Sequence, residues 1–332
     1  MGAADLLGVS FIVSLVFGGC CSNVFTFERL FQYPAIQDTG SFITFCQFVY
    51  ISIESVAVPF SHKRVVPLKV YMLSVLMFFL SSLGNNMALN YNISVPLHIV
   101  FRSFSPVITM INGSLFLKKK YNSSQILAAL ILTAGCIITS IYRNKEFEWA
   151  DLHRLLSTNT SWLPAARKNS TGIVLLFGSS YLMSLLQLYN ESTYKKYGKH
   201  IWKEMLFYTH FLSIPLFALT SLNSITNNLQ LLKNNYLSRH FRPSWDSFPT
   251  TLVANLVTQS LCVKGVSRLS SSTNALTVSI VLMLRKMLSL LLSVWIFGNT
   301  MTKASVFGTV LTFLGTLLYS IGLFSNKASI KK

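Results

Sequence analysis

Ten runs of about 20 apolar residues, separated by short polar gaps, constrain this chain more than any other feature. The hydrocarbon core of a bilayer, about 30 Å thick, takes about 20 helical residues to cross. The runs lie at about 6–27, 39–60, 68–90, 96–117, 123–142, 171–190, 203–222, 248–266, 272–297 and 303–324. Composition points the same way. Only 11% of the 332 residues are charged, against about 25% in soluble chains. Too few polar groups exist to cover a water-facing surface, which excludes a soluble enzyme. The expected fold class is an all-α polytopic membrane protein of about ten transmembrane helices. The sixth and eighth runs are the weakest, being rich in hydroxyls and amides. The first run lacks a basic n-region and reads as a span, not as a cleaved signal. Leu6 stands where a myristoylation signal after Gly2 wants Ser or Thr.

The chain carries 28 Lys and Arg against 10 Asp and Glu, a net charge of +18. Most of the basic residues fall in short clusters between apolar runs. That pattern suits membrane topology and anionic headgroups, not nucleic acid. With a cytosolic N-terminus, 15 loop Lys and Arg face the cytosol and 10 the other side, and eight of those ten lie in the two longest loops. Both termini are therefore expected in the cytosol, and loop 143–170 in the lumen. Two sequons in that loop make Asn159 and Asn169 candidate glycosylation sites. The five cysteines, Cys20, Cys21, Cys46, Cys136 and Cys262, all lie inside apolar runs without paired loop spacing. They read as small membrane-helix residues, neither disulfides nor a metal site.

Two stretches resemble each other. Phe101–Ser140 and Leu284–Ser320 each carry an Arg in an apolar helix, then a polar turn, then a helix ending G-x-[IL]-[IL]-x-S. A three-residue gap in the turn aligns Arg102 with Arg285 and Gly135 with Gly315. Runs four and five thus match runs nine and ten. An offset of five spans reverses direction in the membrane, which predicts two inverted five-helix repeats, 1–142 and 171–332, joined by loop 143–170. Secondary transporters are built this way, with substrate near the midplane.

Three cations fall within apolar runs: Arg102, Arg285 and Lys286. Each costs about 2.5–3.5 kcal/mol at a membrane helix centre on insertion scales. Glu54 is the one acid well inside a run and a possible charge partner, whereas Glu28 and Glu191 stand near run ends. The surplus of about two positive charges suits a multiply anionic ligand such as a pyrophosphate, gripped by Arg forks and a Lys point charge. Arg285 and Lys286 point about 100° apart on a helix. Gln47, Asn85, Asn86, Asn90, Ser103 and Gln187 serve either interhelical hydrogen bonding or recognition of a base, ribose or sugar. Tyr50, Tyr189 and Tyr208 either stack on a base or pack, and His98 and His210 read as structural. Pro96, Pro106 and Pro215 are candidate kinks. No catalytic motif, metal-ligand set or cofactor fingerprint is present.

The segment NNMALNYNISVPLHIVFRSFSPVITM (85–110) resembles the nucleotide-sugar transporters of the drug/metabolite transporter superfamily, closest to the UDP-N-acetylglucosamine and UDP-xylose branch. ITFCQFVYISIE (43–54), LKKKY (117–121) and STNALTVSIVLMLRKMLSLLLSVWIFGN (272–299) match the same branch. The resemblance implies a ten-helix, two-repeat antiporter of Golgi or endoplasmic reticulum. It would exchange cytosolic UDP-N-acetylglucosamine, with UDP-xylose as a further cargo, for luminal UMP to supply glycosylation. It implies Arg102, Arg285 and Lys286 as phosphate-binding groups, no cofactor, and UDP-sugar, UMP and lipid bilayer as partners, with oligomeric state open. The GALNK-type motif of GDP-mannose transporters is absent. Alternatives are carriers of ATP/ADP, a phosphosulfate nucleotide or a triose phosphate, a membrane-embedded transferase, or a non-transporting interaction protein.

Overall fold

A computed structural model describes residues 3–31, 39–56, 64–89, 103–142, 170–233, 247–297 and 302–329. Among these residues there are helices and no strands. Ten α-helices follow in order: α1 (Ala3–Phe31), α2 (Thr39–Glu54), α3 (Leu68–Leu89), α4 (Ser105–Leu117), α5 (Ser123–Ile141), α6 (Ser170–Tyr197), α7 (Trp202–Leu232), α8 (Phe248–Ser272), α9 (Ala275–Phe297) and α10 (Lys303–Ser329). Each apolar run overlaps one of them. Arg102, Asn90, Pro96, His98, Asn159 and Asn169 lie outside the described residues.

Local chemistry explains several helix ends. Pro106 sits in the first turn of α4, where its missing N–H costs nothing, so it opens that helix and does not kink it. Lys118 follows in the left-handed region (φ 49°), and the Lys119 N–H returns to the Gly113 carbonyl at 3.1 Å. Gly198 takes φ 97° between α6 and the short 3-10 turn Lys199–Ile201, a conformation open to glycine. Pro215 lies inside α7, and that helix breaks its regular geometry at Ser221, six residues on. Helix α6 runs past its apolar run to Tyr197, so Glu191 is in the body of a helix.

The polarity pattern is the reverse of a soluble protein. Leu115, Val174 and Leu219 are 69%, 69% and 80% exposed, while Thr109, Asn112, Ser184 and Asn255 are fully buried. Such a surface suits hydrocarbon. Four helical stretches among the described residues are long and apolar enough to cross a membrane: Phe11–Leu30, Leu68–Asn85, Thr171–Tyr197 and Lys199–Leu232. The sixth run, one of the two weakest in the sequence, is among them.

The chain forms two compact units, each drawing on both halves of the sequence. The first comprises Met1–Phe79 and Tyr189–Asn274, the second Leu80–Leu188 and Ala275–Lys332. In the first unit α1 runs antiparallel to α8. Gly19 and Gly265 let the backbones close in: a Cβ on Gly19 would lie 2.8 Å from the Cys262 amide nitrogen, and one on Gly265 3.0 Å from that of Val16. At this approach Cys20 and Cys262 form a disulfide. The expectation that no cysteine is disulfide-bonded is thereby corrected. The partners stand 242 residues apart, and no local spacing encodes a pairing made by helix packing. Cys21, Cys46 and Cys136 are not disulfide-bonded.

Also in the first unit, Phe48 meets Phe217 and His210 edge-on at 5.0 and 5.1 Å between ring centres. The His210 Nδ1 lies 2.8 Å from the Leu206 carbonyl, a structural role. Tyr208 stacks on Tyr71 at 4.6 Å. Glu204, in the first turn of α7, accepts a 2.6 Å bond from the Tyr71 hydroxyl and bonds from the Val65 and Val66 N–H groups ahead of α3. Removing this carboxylate by Glu204→Ala is expected to cost about 1–3 kcal/mol. Thermal unfolding in detergent should show the loss, with Glu204→Gln, which keeps an acceptor, falling between.

In the second unit α5 runs antiparallel to α10. Gly135, Gly308 and Gly315 line the seam, with Leu132, Cys136 and Tyr319 buried beside it. The Thr139 hydroxyl donates to the Gly135 carbonyl at 2.9 Å and lies 3.5 Å from the Thr309 hydroxyl. Small residues at such a seam trade side-chain volume for backbone proximity.

Candidate functional site

Helix α9 carries the basic pair. Leu276, Ile280, Met283 and Met287 recur every three to four residues and form its buried face against Met110 of α4 and Ala128, Leu132 and Cys136 of α5. Lys286 flanks that face. Arg285 falls roughly opposite Met283, about 200° around the helix. Both basic side chains are half-buried, and both are engaged within the chain. The Arg285 Nε is shut off from solvent. The Lys286 ammonium lies within electrostatic reach of the Cys136 thiol. The pair therefore sits among helices and not at a loop surface.

A hydroxyl–amide chain shares this unit. Thr109 of α4 lies 3.1 Å from Ser279 of α9, and the Ser279 hydroxyl donates to Gln187 Oε1 of α6 at 2.6 Å. Thr109 and Ser279 are buried and Gln187 is half-buried. Nearby on the same helices, Asn112 Nδ2 donates to Ser184 Oγ at 3.0 Å, both residues being fully buried. Asn85 is half-buried in α3, Asn86 belongs to the same helix, and Ser103 is buried just ahead of α4.

The remaining candidates belong to the first unit. Gln47 Nε2 donates to Asn255 Oδ1 at 2.7 Å. Asn255 Nδ2 in turn donates to Thr26 at 3.0 Å, and Asn23 Nδ2 to the Asn255 carbonyl at 3.1 Å. This network ties α1, α2 and α8 together. Glu54 is the last residue of α2 and is exposed, not well inside a span as its run suggested. It accepts from the Ser260 hydroxyl and pairs with Lys264, both of α8. Tyr50 is half-buried, and the Tyr189 hydroxyl donates to the Val70 carbonyl at 3.4 Å.

Sequence reasoning passed over Thr109, Asn112, Ser184, Ser279 and Asn255, which look like ordinary hydroxyl and amide residues of an apolar helix. One signal was available. Ser279 and Lys286 are seven residues apart, so they share one helix face to within about 20°. Glu191 was also undervalued. It is 3% exposed and accepts from Lys195 at 2.7 Å. Among the described residues no cluster of His, Cys, Asp or Glu could hold a metal ion.

The model of the UAA transporter family matches residues 9–323. A UDP-N-acetylglucosamine transporter of Kluyveromyces lactis is 43% identical over 321 residues, covering 94% of this chain and 96% of the relative. A UDP-xylose and UDP-N-acetylglucosamine transporter of Danio rerio is 36% identical over 345 residues, covering 97% and 96%. A solved crystal structure, 10% identical, superposes with a TM-score of 0.64 over 95% of this chain and 98% of that one, a likeness of fold alone.

Proposed function

The chain belongs to the UAA transporter family, and from that premise we propose that it carries UDP-N-acetylglucosamine, with UDP-xylose as a further cargo, across an internal membrane in exchange for UMP. Nucleotide-sugar transport, not enzymatic turnover, is the activity of such a family. The observation that carries this reading is the half-buried Arg285–Lys286 pair on α9, in a chain of which 94% and 97% is matched by transporters of these sugars. A pyrophosphate offers the two oxygens that a guanidinium fork takes and a further charge for the ammonium. Arg102 is proposed as the third phosphate-binding group, and Asn85, Asn86, Asn90, Ser103, Gln187, Gln47, Tyr50 and Tyr189 as the set from which base and sugar contacts are drawn.

Ten spans in two inverted repeats, 1–142 and 171–332, give the carrier a means of alternating access. The antiparallel α5–α10 seam supports it, because repeats offset by five spans must place these equivalent helices head to tail. The small residues along the seam are themselves paired by the repeat. Gly135 meets Gly308 and Thr312, while its counterpart Gly315 meets Ala128 and Leu132. Both termini are taken as cytosolic and loop 143–170 as luminal, with Asn159 and Asn169 open to glycosylation. The compartment is Golgi or endoplasmic reticulum. An oxidising compartment also agrees with a disulfide between Cys20 and Cys262.

The test is counterflow in proteoliposomes loaded with UMP, with labelled UDP-N-acetylglucosamine outside and UDP-xylose, GDP-mannose and ATP as competitors. The expected result is uptake that requires internal UMP and is blocked by uridine nucleotides alone. Uptake driven by internal ADP, or no uptake by folded protein, would overturn the reading.

A further inference from the structure

We propose that the Gln187 side-chain amide is a fixed hydrogen-bond donor that reads a ring carbonyl of the nucleotide base, with Ser279 and Thr109 as the positioning residues that hold it in that sense. The proposal rests on the reading that the cargo is a uridine nucleotide, and it names the group that selects the base.

An amide side chain is ambiguous until its surroundings orient it. Turned over, it exchanges a donor for an acceptor. Here the surroundings decide. The Thr109 hydroxyl points its proton between two acceptors, the Ser105 carbonyl at 2.8 Å and the Ser279 oxygen at 3.1 Å, and so makes no claim on the Ser279 proton. Ser279 has one proton and three neighbours: the Ala275 carbonyl at 3.0 Å, Thr109 at 3.1 Å and Gln187 Oε1 at 2.6 Å. The shortest of these takes the proton. The Gln187 carbonyl is thereby held as an acceptor toward Ser279, and its NH2 is turned the opposite way. Among the described residues, no acceptor meets Gln187 Nε2, and a half-buried N–H pair gains from meeting one.

Placement supplies the ligand. Ser279 lies six and seven residues before Arg285 and Lys286 on α9, a rise of about 9–10 Å. That is comparable with the reach of a nucleotide from its pyrimidine ring across the ribose to its phosphates. With phosphates on the basic pair, the base falls at the level of Ser279 and hence of Gln187. Uracil presents a carbonyl at C4 where cytosine presents an amine. A fixed N–H donor meets an acceptor in the first and another donor in the second, so it admits uracil and rejects cytosine.

The experiment measures UMP and CMP side by side on purified full-length protein, by ligand-induced thermal stabilisation and by competition in the counterflow assay. Wild type should bind UMP at least about tenfold more tightly than CMP. Gln187→Leu should bring that ratio to near one by weakening UMP. Ser279→Ala, which releases the amide, should also lower the ratio, and Ser279→Thr, which keeps the hydroxyl, should restore it. This second pair tests the idea even where Gln187→Leu does not fold. A wild-type protein that binds neither nucleotide removes the functional reading and this inference with it. A wild type that prefers UMP, with the preference intact in folded Gln187→Leu or in Ser279→Ala, overturns the inference and leaves the transport reading standing.

Discussion

Exchange by the Arg285→Ala, Lys286→Ala double variant is expected to fall to background while the protein stays folded. The two side chains supply the concentrated positive charge of α9, in a half-buried position where screening by water is weak. Losing one partner of a buried charge-assisted contact costs about 2–5 kcal/mol, or about 30-fold to several-thousand-fold in affinity. Removing both places uptake below detection. Stability should change little, because the insertion cost of two membrane-embedded cations, about 2.5–3.5 kcal/mol each, offsets what their own contacts contribute. The apolar face of α9 at Leu276, Ile280, Met283 and Met287 is untouched. Arg285→Lys keeps the charge and loses the fork, and should fall between wild type and Arg285→Ala. Counterflow reads the activity, and stabilisation of the purified protein by UMP reads binding. Wild-type exchange by the folded double variant would falsify the assignment of the pair.

The second large effect is structural. Gly135→Leu is expected to take apart the α5–α10 seam. A Cβ there would lie 2.6 Å from the Gly308 carbonyl oxygen, the Thr312 amide nitrogen and the Thr312 hydroxyl. Two of those three atoms belong to backbone, which cannot turn aside as a side chain can. Overpacking of this kind costs about 1–3 kcal/mol for an added methylene or two, and more when backbone must move. A whole isobutyl group at the closest point of the seam should leave little monodisperse protein on size exclusion. Gly18→Leu and Gly178→Leu are the controls, since a Cβ at either meets nothing within 4 Å. Equal yields and unfolding temperatures for Gly135→Leu and Gly178→Leu would show that the seam is not the tight contact described.

Much of the fold was legible in the order of residues. Ten apolar runs became ten helices among the described residues, and most bounds differ by a few residues. The departures at α6 and α2 have local causes. Helix α6 continues through Glu191 to Tyr197 because a polar stretch can still be helical, although it ends the hydropathic run. Helix α2 stops at Glu54, short of Pro59, so its acid stands at a helix end, exposed and paired with Lys264. The basic pair was legible too, because an ionised side chain in an apolar run is costly wherever that run ends up.

What the sequence alone determined is therefore what depends on each segment by itself: helical periodicity, the solvent each helix suits, and the price of a charge within it. What only the tertiary structure decided is which helix faces meet. Gln187 and Ser279 are 92 residues apart, Gln47 and Asn255 208, and Cys20 and Cys262 242. Each pairing depends on how two helices are rotated about their axes and how closely glycines let them approach. A rotation of about 100° moves a side chain to its neighbour's position without altering the composition of the run. Hydropathy is blind to that rotation, and it is the rotation that makes Ser279 the partner of Gln187.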